Sequence, residues 1–253
     1  MPQEPATTEL FNQALAQLQQ KNWDASITLY RQLLDQGRES LTPAQASVVY
    51  HNMSGIAAEK ADLLMAYTWS KKAVFLDSSN SAARAAFQQY STQFQIPSIP
   101  HQISNFDNFA GLIDRVSLDV WLGFSLVFVL LMIWLLAKKW IVQKKNRLSG
   151  IFTPASAWPV YLTGFFALLF VVVTYFSYNQ SKIAHGILIS ERARIQTAPG
   201  ENKPVIYEAP PGLDVEVLKE DGGYYQVRSA GAFSGWVSKE HVELLSLNFE
   251  QRP

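Results

Sequence analysis

Two uncharged stretches in the middle of the chain separate a region with helical spacing from a region with alternating spacing. The first, 120–137, reads VWLGFSLVFVLLMIWLLA, and the second, 158–178, reads WPVYLTGFFALLFVVVTYFSY. An uncharged helix of this length crosses about 30 Å of hydrocarbon, and the Trp and Tyr residues lie mostly near its ends, as at a membrane interface. The pattern predicts a transmembrane hairpin over 118–180, with helices at about 118–137 and 157–178, rather than two buried core helices.

The predicted loop between these helices, 138–156, is basic and has no acidic residue. Its cations are Lys138, Lys139, Lys144, Lys145 and Arg147. Short loops rich in Lys and Arg stay in the cytoplasm, so we expect both terminal regions outside the cytoplasm. Export of the N-terminal region normally requires a signal sequence, and residues 1–20 have neither an apolar core nor a basic start. We therefore expect that a signal peptide was cleaved or replaced by a start methionine; the alternative is that both terminal domains are cytoplasmic.

The N-terminal region, 1–94, has the spacing of paired amphipathic helices, repeated twice. The clearer unit is 47–80, which has 34 residues. Its helix-packing positions hold Tyr50, Met53, Ser54, Ala57, Ala66, Ser70 and Ala73. Small residues at such positions let paired helices approach closely. The unit resembles a tetratricopeptide repeat, which implies an all-α domain with a groove for a peptide or a partner helix.

A looser helical unit precedes this one, and a single helix follows it. The first unit, 7–36, has two apolar stripes on either side of a turn at 21–24. Thr42-Pro43 is typical of a helix start, with Thr as the N-cap and Pro in the first turn, and residues 81–94 are predicted to form a capping helix. The Pro-containing segment 95–117 is predicted to be a linker, either a spacer or a segment on the membrane surface.

After Gly186 the hydrophobic period changes to two, and Gly and Pro interrupt it at short intervals. The predicted strands are 186–190, 193–197, 204–209, 214–219, 224–229, 234–238 and 241–245. Many short strands with Gly/Pro turns are typical of a small all-β barrel. We predict an SH3-like barrel at 186–246, followed by a tail at 247–253.

The order of motifs in this barrel resembles a bacterial SH3-type domain. The motifs are 193–199 (ARIQTAP), 212–218 (GLDVEVL), 224–228 (YYQVR) and 235–237 (GWV). Eukaryotic relatives of this family bind proline-rich peptides on an aromatic groove. The resemblance implies a partner-binding surface made of Tyr207, Tyr224, Tyr225, Phe233 and Trp236. The alternative is that Tyr225 and Trp236 mainly fill the barrel.

Composition and motifs exclude several kinds of chemistry. The 253 residues contain no cysteine, which excludes disulfides, thiolate nucleophiles and cysteine-bound zinc. The net charge of zero gives no reason to expect nucleic acid, whose binding usually needs a basic face. The four histidines are scattered, and no phosphate-binding glycine loop, GxSxG or HExxH motif is present. We expect a protein that is not an enzyme, with no catalytic, cofactor or metal site.

The whole order of parts resembles the BatE-like proteins of the bacterial Bat (Bacteroides aerotolerance) family. That order is tetratricopeptide repeats, a membrane hairpin with a basic loop, and an SH3-type domain. The resemblance implies a bacterial inner-membrane location, periplasmic terminal domains and a role in stress tolerance. It also implies a complex with von Willebrand A-domain membrane proteins and a MoxR-type AAA+ ATPase.

Three functional hypotheses follow from these observations. The first is a non-catalytic scaffold that presents its repeats and its SH3-type domain to partners in such an envelope complex, while its basic loop contacts cytoplasmic partners or anionic lipid. The second is an envelope sensor or anchor that binds peptidoglycan through the SH3-type domain. The third, an enzyme or transporter subunit, ranks last because two helices without intramembrane charge make a poor ion path.

Overall fold

A computed structural model describes residues 4–37, 40–96, 116, 118–149, 158–181, 183–229 and 233–246. Most of the predicted linker at 95–117, the end of the predicted loop at 150–156 and the tail at 247–253 lie outside these residues. The chain divides into two compact units. One contains the N-terminal helices together with the C-terminal sheet, and the other contains the two apolar helices.

Five helices form the N-terminal region. They are α1 (Glu4–Gln19), α2 (Trp23–Gln36), α3 (Pro43–Glu59), α4 (Leu63–Leu76) and α5 (Ser81–Gln93). Contacts join α1 to α2, α3 to α4, and α4 to α5. The predicted helix start at Thr42 is confirmed: the Gln45 backbone N–H donates to Thr42 Oγ1 at 3.3 Å, and the Thr42 N–H donates to Gln45 Oε1 at 2.9 Å. This reciprocal capping box satisfies two N–H groups at the helix start.

The turns between α1 and α2 and between α3 and α4 have the same geometry. Lys21 and Ala61 each have a positive φ, of 59° and 61°. In each turn the following N–H, of Asn22 or Asp62, donates to a carbonyl five residues earlier at 2.9 Å. The chain therefore repeats one helical hairpin, and the two turns are 40 residues apart. This spacing exceeds the 34 residues of a tetratricopeptide unit, and the tetratricopeptide identity of the helices stays a prediction.

The second unit contains helix α6 (Leu118–Leu148) and helix α7 (Trp158–Ser181). Both are long and apolar enough to cross a membrane, and few of their side chains are covered by the described protein. The Ser125 and Thr174 hydroxyls are 2.8 Å apart, and the Phe170 ring stacks on Phe128 with centroids 5.0 Å apart. Such polar and van der Waals contacts are what hold helices together in lipid, where burial from water gives no driving force.

The predicted boundary between the first apolar helix and a basic loop is corrected. Helix α6 has 31 residues and continues to Leu148, so the cations that we placed in a loop lie on its last three turns. They are Lys138, Lys139, Lys144, Lys145 and Arg147. The helix continues because Lys, Gln and Arg are good helix formers and no Gly or Pro interrupts residues 138–149. We refer to residues 138–148 as the basic extension.

The C-terminal region is one antiparallel sheet of seven strands. They are β1 (Ala184–Leu188), β2 (Ala193–Gln196), β3 (Val205–Ala209), β4 (Asp214–Asp221), β5 (Tyr224–Ser229), β6 (Phe233–Ser238) and β7 (Val242–Leu244). Their order across the sheet is β3-β2-β6-β5-β4-β1-β7. All seven predicted strands are confirmed, with β1 beginning earlier and β4 ending later than expected.

The tightest turn of the sheet joins β4 to β5. Asp221 pairs with Tyr224, so only Gly222 and Gly223 form the loop, with φ of +53° and +86°. Two positive φ values are typical of the turn whose twist matches that of a hairpin, and glycine adopts them without strain. One side of the sheet encloses an apolar core, whose centre is Leu188, Ile195, Val227 and Val237.

Candidate functional site

The five aromatic residues predicted to bind a partner lie in two different settings. Tyr225 pairs with Val237 across β5 and β6 and is buried in the barrel core. The Tyr207 and Phe233 rings stack with centroids 5.0 Å apart and pack against the edge of the same core. Tyr225, Tyr207 and Phe233 therefore mainly support the barrel.

Trp236 lies on the opposite side of the sheet. Successive side chains of a strand point to opposite faces, and its neighbours Gly235 and Val237 are buried on the core side. Trp236 pairs with Gln226 on one flank and with Gln196 on the other, and Tyr224 shares this outer face. We call Trp236, Gln196, Gln226 and Tyr224 the Trp236 face. It combines an indole ring with two amide side chains, so it can stack on an apolar ligand surface and exchange hydrogen bonds with it.

The Trp236 face also contains an unsatisfied polar atom. Gln196 Oε1 is buried and accepts no hydrogen bond from the part of the chain that the structure describes, which costs free energy unless a ligand or water supplies a donor. On the edge strand β3, Val205 pairs with Gln196 and is exposed. An exposed apolar side chain paired with this residue adds apolar surface suited to ligand binding.

The opposite end of the sheet is attached to the N-terminal helices by two ion pairs. On α4, Lys71 Nζ lies 2.5 Å from a carboxylate oxygen of Asp214, and Lys72 Nζ pairs with the carboxylate of Glu243. Lys72 Nζ also lies 4.4 Å from the centre of the Tyr50 ring. The first pair is partly exposed, whereas Lys72 is almost completely buried. Two adjacent lysines of one helix thus bind two acidic residues of the sheet.

Apolar contacts complete this attachment. Ile187 of β1 and Leu245 after β7 belong to the core of the helical region. A Cβ built on Gly212 would overlap the Phe94 ring and lie 3.3 Å from Ile96, so the segment after α5 packs directly on the Gly212 backbone. We call the ion pairs and these apolar contacts the helix–sheet interface. It uses β1, β7 and the start of β4.

The sequence interpretation missed this interface. Lys71 and Lys72 are the only charged residues of α4, whose remaining sequence is apolar or neutral. Two adjacent charges in the middle of such a helix could have indicated a contact with acidic residues elsewhere, since a buried charge requires a partner. Their partners, Asp214 and Glu243, are more than 140 positions away, which no local pattern reveals.

The interface predicts a loss of stability at alkaline pH. Burial alone lowers the pKa of Lys72, but Glu243 and Tyr50 together raise it above the ordinary value of 10.5, and burial raises the pKa of Tyr50 above 10.0. Raised pKa values mean that the folded state favours the protonated forms of Lys72 and Tyr50. The stability that these groups contribute to folding is therefore complete below about pH 10, and it is lost as pH rises through their pKa values in the folded state. We expect urea midpoints of the full chain to fall above about pH 10.

A matched variant isolates the Lys72–Glu243 pair from the tyrosines, including Tyr50. With Lys72→Met and Glu243→Leu introduced together, we expect a shallower fall of the urea midpoint over the same pH range. An equal slope in this variant and in the unchanged protein would show that the Lys72–Glu243 pair does not cause the alkaline loss.

A second open surface lies between helices α1, α2 and α3. It is a cavity of about 310 Å³ with a mainly apolar lining that includes Phe11, Leu33, Gln45 and Val48. This volume is at the lower end for small-ligand sites and suits one apolar side chain of a partner. The groove predicted from the tetratricopeptide resemblance stays a prediction.

No His, Asp or Glu cluster of three or more in the described ranges is arranged to share a metal ion.

A comparison with curated proteins gives no match for this chain. The C-terminal sheet does match a known family, because residues 191–243 fit the model of the bacterial SH3 domain. The chain therefore contains a bacterial SH3 domain that is C-terminal to its helical region and its two apolar helices.

Proposed function

We propose that this protein is a non-catalytic, membrane-anchored protein of the bacterial envelope that binds peptidoglycan through its SH3 domain. The observation that carries the proposal is the bacterial SH3 match over residues 191–243, together with the partly exposed Trp236 face on that domain. Bacterial relatives of this domain bind peptidoglycan. Trp236 would stack on the ligand, and the side-chain amides of Gln196 and Gln226 would hydrogen-bond to its amide groups.

The proposed location is the inner membrane, with α6 and α7 as the anchor. The basic extension would lie on the cytoplasmic side, because Lys and Arg next to a membrane helix favour that side. The helical region and the SH3 domain would then both be periplasmic. Their shared interface supports this arrangement, since Lys72 and Glu243 can pair only when both regions are on the same side of the membrane.

Thiol labelling of this cysteine-free chain tests the orientation. Single variants Ser40→Cys, Ser149→Cys and Lys203→Cys place one exposed thiol each in the helical region, after the basic extension and in the SH3 domain. On spheroplasts, a membrane-impermeant maleimide should label the first and third variants and spare the second. The reverse pattern would place both domains in the cytoplasm and exclude peptidoglycan as the ligand.

Replacing Trp236 by Ala tests the binding surface. We expect the apparent affinity of the full-length protein for purified cell wall to fall tenfold or more, because a central aromatic often dominates a binding site. The measurement is co-sedimentation in mild detergent, with circular dichroism to establish that the sheet stays folded.

The matched control for this experiment is Trp158→Ala. Trp158 is exposed at the start of α7, outside the SH3 domain, and its replacement should leave sedimentation unchanged. Equal sedimentation of the Trp236 variant and the unchanged protein would remove the Trp236 face from the proposal.

A second candidate function is a scaffold that holds protein partners in an envelope complex of the Bat type. The order of helical repeats, apolar helices and SH3 domain supports it, as does the apolar cavity lined by Phe11 and Val48. Its partners would be von Willebrand A-domain proteins and a MoxR-type ATPase, in tolerance of stress. Recovery of those A-domain proteins with the full-length chain in mild detergent would support this function; recovery of a lone monomer would contradict it.

A further inference from the structure

The basic extension of α6 continues well past the length needed to cross a membrane. Thirty-one residues form a helix of about 46 Å at 1.5 Å per residue, whereas the hydrocarbon core is about 30 Å thick. If residues 118–137 fill that core, residues 138–148 extend about 16 Å beyond it. The headgroup layer on each side is only about 6 Å thick, so the extension crosses this layer completely.

The extension has an apolar stripe bordered by cations. At 100° per residue, Trp140, Ile141, Lys144 and Leu148 fall within about 100° of the helix circumference. Three of these side chains are large and exposed, at 65% for Trp140, 60% for Ile141 and 81% for Leu148. Arg147 borders the stripe on one side and Lys145 on the other, so the extension has an amphipathic surface.

No ion pair joins the cations of this surface to an acidic residue in the described ranges. Residues 138–149 contain no Asp or Glu, and within the described ranges no carboxylate forms an ion pair with Lys138, Lys139, Lys144, Lys145 or Arg147. Two of the cations instead lie over aromatic rings: Lys138 Nζ is 5.2 Å from the Trp134 ring centre, and Lys144 Nζ is 5.5 Å from that of Trp140. The surface therefore combines positive charge with two indole rings, Trp134 just inside the hydrocarbon and Trp140 in the headgroup layer.

We propose that the basic extension binds the phosphate groups of anionic phospholipids. Charge complementarity selects anionic over zwitterionic lipid, because a zwitterionic headgroup adds no net negative charge. Trp140 and Ile141 lie at the level of the headgroups. The long side chains of Lys144, Lys145 and Arg147 point back toward the start of the helix and reach the phosphates from the aqueous side. This inference rests on the proposed membrane anchoring, and it adds a lipid specificity to it.

The test is the retention of lipid by the full-length protein. The protein is purified in mild detergent, mixed with equal amounts of phosphatidylglycerol and phosphatidylcholine, and analysed by native mass spectrometry. We expect preferential retention of phosphatidylglycerol, lost at high salt. Lys144→Gln, Lys145→Gln and Arg147→Gln introduced together should weaken this binding about a hundredfold, since each cation near an anionic surface contributes about fivefold.

A matched triple variant controls for the change in net charge. Arg192→Gln, Lys203→Gln and Lys219→Gln remove three exposed cations of the SH3 domain and should leave lipid retention unchanged. Equal retention of both lipids, or unchanged retention in the basic-extension variant, would overturn the proposal. Displacement of the lipid by excess inorganic phosphate would also overturn it, because the ligand would then be a free anion.

Carbonate extraction of cell membranes separates this proposal from the proposed anchoring. If the protein stays in the membrane pellet while lipid selectivity is absent, only the lipid proposal fails. If carbonate releases the unchanged protein, the membrane anchoring itself is wrong.

Discussion

Replacing Glu243 by Gln is expected to lower the free energy of unfolding by about 3 kcal/mol. The substitution leaves the Lys72 ammonium group without its carboxylate partner. The Lys72 side chain is 6% exposed and that of Glu243 is 26% exposed, so water replaces little of the lost interaction. Breaking a buried ion pair from one side costs more than removing both charges, because the remaining charge stays desolvated. Urea unfolding of the full-length protein in mild detergent measures the effect.

Two control variants make this prediction specific. Glu240→Gln makes the same chemical change at a carboxylate whose side chain is 77% exposed, and its effect should stay below about 0.5 kcal/mol. Lys72→Met and Glu243→Leu together remove both charges, and the stability should return to within about 1 kcal/mol of the unchanged protein. If Glu243→Gln is as mild as Glu240→Gln, the helix–sheet interface does not depend on this pair.

Replacing Gly235 by Ala is expected to destabilise the SH3 domain by about 3 kcal/mol, the upper end for overpacking a core. A Cβ at this position would lie 2.6 Å from Ile195 Cγ2 and 2.7 Å from the backbone oxygen of Gln196. The oxygen belongs to the neighbouring strand, so relief requires movement of β2 or β6 and not merely a side-chain rotation. The urea midpoint, followed by the near-ultraviolet circular dichroism of the aromatic residues, measures the loss.

Replacing a glycine by alanine at another position, Gly55, should instead increase the stability of the protein. Gly55 lies within α3, and a Cβ there would meet nothing within 4 Å. Gly55→Ala should therefore stabilise the protein by up to about 1 kcal/mol through its higher helix propensity. A Gly235→Ala variant as stable as Gly55→Ala would show that β2 and β6 are not in close contact at this point.

The sequence motif Gly235-Trp236-Val237 acquires a physical meaning from these contacts. Gly235 permits the close approach of β6 to β2, Val237 fills the core, and Trp236 points to the outer face. The three adjacent residues thus have three different roles. The resemblance placed the motif in an SH3-like domain, and the strand register assigned each side chain to its face.

The sequence alone determined the elements of this protein where a local pattern controls them. Uncharged length defines α6 and α7, alternation with Gly and Pro breaks defines the seven strands, and Thr42-Pro43 marks the start of α3. The end of α6 was misplaced, because we took the first charge, Lys138, as the helix end. Charge marks the limit of the hydrocarbon, whereas helix propensity determines where the helix stops.

The tertiary structure decided which residues face a ligand and which regions join. Tyr224 and Tyr225 are adjacent in sequence, yet only the strand pairing shows that Tyr225 is buried opposite Val237. The pairing of Lys72 with Glu243 joins residues 171 positions apart. Periodicity shows only which face of its own helix or strand a side chain occupies. The identity of its partner depends on how distant elements pack. The helix–sheet interface is therefore decided by the tertiary structure and not by any local pattern.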